Sequence, residues 1–172
     1  TRVICRTGNP IDLMDLEIIN LHEAKSIIIL APEHGDPDSI VIKTILAITN
    51  NPNRKPAPRK YHITAEIRDP KNVAIAEIAG KDEVQLVIFD YLISRITAQT
   101  CRQPGLSVVF TELLDFSGDE IYFQEEPKLV NKTFVEAMFA YEKSVIIGTR
   151  KKNGRILIKP PLNTKIEPGD MV

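Results

Sequence analysis

Tyr61-His62-Ile63-Thr64-Ala65-Glu66-Ile67-Arg68-Asp69-Pro70 is the stretch that decides the fold. Its first seven residues are rich in apolar and β-branched side chains and have the length of a strand. Asp69-Pro70 then opens a helix, because Asp caps free N–H groups and Pro fits the first helical turn. Val73, Ala74 and Ile78 carry the helical spacing towards Gly80. The same succession recurs on both sides. Upstream, Ser26-Ile27-Ile28-Ile29-Leu30-Ala31 reads as a strand buried on both faces. It breaks at Pro32-Glu33-His34-Gly35-Asp36-Pro37-Asp38, and Ile40, Val41, Thr44, Ile45 and Ile48 follow at helical spacing. Downstream, Val84-Gln85-Leu86-Val87-Ile88-Phe89 leads to a helix through Leu92, Ile93 and Ile96. Near the start, Arg2-Val3-Ile4-Cys5-Arg6 is a strand-like run. Asn9 is placed to cap a helix there, with Pro10 its first residue and Leu13, Leu16 and Ile19 its apolar stripe. Repeated βα units predict right-handed crossovers and an open parallel sheet. The fold class is therefore α/β, a Rossmann-like parallel sheet.

The sheet holds only the later βα units. A dinucleotide domain opens on a strand, a Gly-rich turn and a helix, whose backbone donors meet a pyrophosphate. No GxGxxG occurs, so the first βαβ is absent. Either this fold does not bind a nucleotide or that half lies before Thr1. A nucleotide is accordingly not expected in this stretch.

Cys101-Arg102-Gln103-Pro104-Gly105-Leu106 is a joint. Pro104 lacks a donor and Gly105 tolerates positive φ, so an arriving helix ends here. The expected division is residues 1–102 and 103–172. In the second part, Leu106, Val109, Phe110, Leu113 and Leu114 have helical spacing, and Phe116-Ser117-Gly118-Asp119 reads as a turn. Glu120-Ile121-Tyr122-Phe123-Gln124-Glu125 reads as a strand and Thr133 to Ala140 as a short helix. Ser144 to Thr149 reads as a strand, and Lys152-Asn153-Gly154 turns the chain into Arg155-Ile156-Leu157-Ile158. This α+β module is small and calls for a partner surface, most simply a second copy.

The 172 residues are 43% apolar and carry a net charge of −1, so nothing global points to nucleic acid. Apolar runs stop far short of the roughly 20 residues that cross a bilayer. Cys5 and Cys101 form no zinc pattern and suit a reducing compartment. No signal peptide is visible, and a start at Thr1 on a strand-like run reads as a piece of something longer. Asn50 to Lys60 is a proline-rich basic loop, suited to anionic headgroups or a partner but read first as a solvated connection.

At these residues a family comes into view. Gly8-Asn9-Pro10 with Leu16, then Ala24-Lys25-Ser26-Ile27-Ile28-Ile29, resembles the middle strands of the RCK (regulator of K+ conductance) domain. The module after the joint, with its late Glu167-Pro168-Gly169-Asp170 turn, resembles the RCK C-terminal (TrkA-C-like) subdomain. The joint itself, followed by Leu113-Leu114-Asp115-Phe116, resembles the CASTOR/POLLUX ion channels and their prokaryotic relatives. The resemblance implies a non-enzymatic gating-ring domain of a cation channel, on the cytoplasmic face of a membrane. It implies self-association, from a dimer to a tetrameric or octameric ring, and a pore domain in the same longer chain. It also implies that the last strand is only beginning at Met171-Val172.

No residue set carries catalysis: His22, His34 and His62 are far apart, and no Ser or Cys sits in a nucleophile elbow. The acidic loops are better candidates, since ligands collect at the carboxyl ends of parallel strands. Glu33, Asp36 and Asp38 follow one strand; Glu66 and Asp69 end the next. Hard cations take six to eight oxygens from such loops, and Ca2+ is the cation that the resemblance implies. Arg68 opposes it, and Asp36 and Asp69 also suit helix capping. Phe110, Leu113, Leu114 and Phe116 are set out as an interface or as internal core. Two other classes stand beside the channel reading: a nucleotide-binding regulatory subunit of a K+ uptake transporter, and a fragment of an NAD-dependent oxidoreductase.

Overall fold

The computed structural model describes residues 3–54, 59–115 and 120–172. The chain divides into two compact units, Thr1–Ser107 and Val108–Val172. In the first, α1 (Leu13–Ile18), β1 (Ile27–Ile29), α2 (Pro37–Thr49), β2 (Ile63–Ile67), α3 (Val73–Gly80), β3 (Val84–Ile88) and α4 (Phe89–Arg102) follow in order. Residues 3–6 form no strand, and Val3 and Ile4 lie exposed. The first helix starts later than expected. Asn9 closes a local turn, its side chain accepting from Ile11 N–H, and Asp12 takes the cap by accepting from Met14 N–H.

The three strands are parallel and in the order β1-β2-β3. Ile27 lies beside Ile63, and Ile63 beside Val84. Right-handed crossovers that advance in one direction across a sheet put both helices on the same face. The burial agrees. Ile63, Ala65 and Ile67 face inward with Val41, Ile45 and Ile48 of α2 and with Ala76 and Ala79 of α3. Among the described residues, the other face has no such layer in this unit. Ile28 is 71% exposed and Leu30 72%, so the Ser26–Ala31 run is not a strand buried on both faces. A continuous β-branched run looks the same in sequence whether one face or two are covered. In α3 the inward face belongs to the small residues Ala76 and Ala79, while Ile78 points to solvent. Small side chains let the helix approach closely: a Cβ on Gly80 would sit 2.1 Å from Val84 Cγ1.

α4 follows β3 without a loop and ends at Arg102, before Pro104 and Gly105, whose φ is +91°. α5 (Leu106–Leu114) spans the division between the units. The second unit adds α6 (Phe134–Met138), β4 (Gly148–Arg150) and β5 (Ile156–Ile158). Thr133 and Glu136 form a reciprocal capping box at the start of α6. Phe134 and Ala137 pack with Leu129, Ile146 and Ile166. β4 and β5 are an antiparallel hairpin. Its turn has three residues between Lys151 and Arg155, with Gly154 at φ +85°. That is a type I turn with a glycine bulge, a longer form than the two-residue turn that Asn-Gly favours. Pro168-Gly169 makes a turn closed by Asp170 N–H to Glu167 O, with Gly169 at φ +85°. Residues 120–125 are no regular strand; among the described residues only Gln124 pairs, exchanging both backbone bonds with Val172. The Phe116-Ser117-Gly118-Asp119 turn lies outside the described residues.

Candidate functional site

Parallel pairing of β1 and β2 brings their carboxyl ends side by side, and the acidic residues gather there. Asp38, in the first turn of α2, is only 3% exposed. Its Oδ1 accepts from Arg68 N–H at 2.9 Å. Its Oδ2 accepts from Asp69 N–H at 2.9 Å and from Asn72 Nδ2 at 2.8 Å. Burial pushes the Asp38 carboxyl up, but these three donors and the Arg68 charge outweigh it and hold the group below the usual carboxylate value. Glu66 makes the matching tie from β2: Oε2 accepts from Ala31 N–H at 3.0 Å, and Oε1 meets Arg68 Nε at 3.3 Å.

The outer carboxylates close local turns. Asp36 caps α2, accepting from Ser39 N–H and Ser39 Oγ. Asp69 accepts from Lys71 N–H. Glu33 stands exposed in the β1–α2 loop. Among the described residues, no group of three or more His, Cys, Asp or Glu side chains converges to hold a metal ion. The five carboxylates expected as cation ligands therefore do not form one oxygen cage. Asp36, Asp38, Glu66 and Asp69 turn their oxygens to protein donors, and the result is a clip joining two loops.

A second polar cluster sits at the opposite end of the sheet. Glu83 is buried; its Oε1 lies 2.5 Å from Arg54 and its Oε2 accepts from Tyr61 N–H at 3.2 Å. Arg54 also donates to Thr49 O at 2.6 Å and lies over the Tyr61 ring. Tyr61 Oη is 2.7 Å from His22 Nδ1. This corrects part of the Asn50–Lys60 reading: Arg54 is tied into the unit. Residues 55–58 lie outside the described residues. Nothing local in the sequence pairs Arg54 with Glu83, which lies 29 residues on.

In the second unit, Lys151 is the centre. Its Nζ contacts Asp170 Oδ2 at 2.6 Å and Glu167 Oε2 at 3.6 Å, and donates to Lys165 O at 3.0 Å. Asp170, 4% exposed, accepts further from Lys152 N–H and Glu167 N–H. Burial raises the Asp170 carboxyl, and the Lys151 bond and these amides more than offset it, so its pKa is lowered. Beside this cluster lies an open cleft of about 370 Å³, lined by Lys152, Asn153, Arg155 and Leu157 as well.

The expected interface residues are on α5. Leu113 and Leu114 are exposed and Phe110 is half-buried. Phe116 lies outside the described residues. α4 buries none of its residues, and Leu92 and Ile93 sit on its surface with Tyr91, whose ring carries the Arg95 guanidinium at 4.1 Å. No helix among the described residues is long and apolar enough to cross a membrane.

Residues 90–172 match the family model described as "Castor and Pollux, part of voltage-gated ion channel". The whole chain aligns with "Ion channel CASTOR" of Lotus japonicus at 28% identity, covering 20% of that protein. It aligns with "Ion channel POLLUX" of the same plant at 26%, covering 19%. The chain thus spans about a fifth of the length of these curated relatives. Among solved structures, "GsuK channel bound to NAD" superposes with a TM-score of 0.47 at 18% identity, over 99% of this chain and 28% of that one. "Crystal Structure of the GsuK RCK domain" gives 0.45 at 18%, over 95% and 33%.

Proposed function

We propose that this chain, a relative of the CASTOR and POLLUX ion channels, is a regulatory segment of a cation channel that couples a change in its own assembly to pore opening. The alignment along its full length carries this reading. The structure adds surfaces suited to assembly. α4 and α5 leave Leu92, Ile93, Val109, Leu113 and Leu114 exposed, and apolar side chains set along helices in this way suit an assembly surface. Coupling then follows population shift: an effector biases the ring only by its differential affinity for two arrangements. The tight donor saturation of Asp38 and Glu66 supports a framing role for that clip, with sensing elsewhere. The pore, the cytoplasmic face and the tetrameric or octameric ring belong to this proposal, as does the absence of catalysis.

The test is electrical. In the full-length protein reconstituted in planar bilayers, Leu113→Asp should change open probability and leave single-channel conductance unaltered. The same substitution in this chain should lower the mass seen by light scattering. A full-length protein that passes no ion current, or a Leu113→Asp channel with wild-type gating and assembly, overturns the reading.

A further inference from the structure

We infer that the outer edge of β5 receives a strand, and that the strand is residues 120–124 of a second copy. The hairpin's hydrogen bonds fix which backbone groups turn outward. Lys151 N–H donates to Arg155 O and Lys159 N–H to Ile147 O, with Leu157 opposite Thr149. Odd-numbered residues of β5 therefore turn towards β4, and the N–H and C=O of Ile156 and Ile158 turn outward. Among the described residues β5 pairs with β4 alone. Ile156 is 52% exposed and Ile158 68%, so the edge is apolar as well as open. Such an edge is a template for another strand.

Charge selects the occupant. The edge is bracketed by Arg155 and Lys159. Two β5 strands paired antiparallel about Leu157 would set Arg155 against Lys159 twice, which disfavours β5 on β5. The segment Glu120-Ile121-Tyr122-Phe123-Gln124-Glu125 has the opposite signature, an apolar centre between carboxylates. Among the described residues, its Ile121 and Phe123 have no backbone partner. Gln124 exchanges both bonds with Val172, at 2.8 and 2.9 Å, so in an extended run Phe123 and Ile121 face away from Val172. Antiparallel docking that sets Ile156 opposite Phe123 and Ile158 opposite Ile121 satisfies both sets. The same register puts Arg155 opposite Gln124, with Glu125 next along, and brings Glu120 to the end of β5, where Lys159 turns the chain out of the strand at φ +47°.

The two edges are the opposite margins of one small sheet. Residue 124 pairs with 172, Met171 with Arg150, and β4 with β5. The contact is therefore head-to-tail: each copy offers one margin and receives at the other. Head-to-tail contacts close into rings or extend as filaments. This inference needs only the second unit and stands apart from the helix surface of α5.

The experiment is a charge exchange in this 172-residue chain, read by analytical ultracentrifugation over a concentration series. Lys159→Glu and Glu120→Lys should each weaken self-association, roughly tenfold for reversing one exposed cross-strand pair with its neighbours. The double variant should restore it, and circular dichroism checks that each single variant folds. A synthetic peptide of residues 120–125 should compete in the wild-type chain. A strictly monomeric wild type overturns the inference, as does a pair of single variants with unaltered assembly or a double variant that restores nothing. If only Leu113→Asp dissociates the chain, the helix reading survives and the strand inference fails.

Discussion

Replacing Asp38 with Ala tests the clip at the carboxyl ends of β1 and β2. The substitution removes one buried acceptor that serves three donors: Arg68 N–H, Asp69 N–H and Asn72 Nδ2. A donor left buried without a partner costs about 1–3 kcal/mol. Relief from burying a carboxylate offsets part of this, and water reaches these partly buried donors, so the net loss should be about 2–3 kcal/mol. For a unit of this size that lowers the melting temperature by roughly 10 °C or more. Asp38→Asn should fall between, because its amide nitrogen faces donors on one side. The pH dependence has a definite sign. The folded-state pKa of Asp38 is lowered from 3.8, so its contribution is complete above that value and is lost as pH falls through the depressed one. The gap between wild type and Asp38→Ala should therefore be widest near neutrality and close in strong acid. Urea unfolding followed by circular dichroism gives the free energy. Amide exchange at Arg68 and Asp69 shows whether the loss is local to the clip. A variant within about 0.5 kcal/mol of wild type, the ordinary range of a surface change, with unaltered exchange at both amides, would refute the clip.

Three further outcomes follow from the packing and the ion pairs. Gly80→Ala should cost about 1–3 kcal/mol, because the new methyl meets Val84 Cγ1, and Val84→Ala in the same chain should recover much of that in a double-mutant cycle. Lys151→Met should destabilise the second unit by about 3 kcal/mol near neutral pH by leaving Asp170 buried without its cation. Since the Asp170 pKa is lowered, that penalty should shrink as acid protonates the carboxyl, which thermal melts at several pH values will show. Thr133→Ala should cost about 1 kcal/mol by opening the capping box of α6, measured as a shift in urea midpoint.

The βα succession was legible because each unit states itself locally. Asp36-Pro37 and Asp69-Pro70 each place a capping carboxylate before a proline, and Val41, Thr44, Ile45 and Ile48 fall on one buried face of α2. The Asn153-Gly154 turn was legible for the same reason. What failed needed distant partners. Ile28 and Leu30 belong to a run whose second face is covered or bare according to topology, which no window of residues contains. Asp38 reads as one more loop acid until the parallel register carries residues 68–72 to it across 30 positions. The Arg54–Glu83 and Lys151–Asp170 pairs were invisible for that reason too. Thr133-Phe134-Val135-Glu136, by contrast, is a capping-box spacing plain in the sequence, and it is the signal that sequence reasoning passed over.

The one-sided sheet has a practical consequence. Ile28, Leu30 and Val87 line its bare side together with Thr64, Glu66 and Gln85, so the folded chain offers water a partly greasy plane. A fluorescent probe that brightens on such planes will glow with the native protein and report less on melting than its users intend. Salting-out anions should draw copies together through that plane rather than firm up the unit, since a face already bare in the folded chain gains no burial on folding.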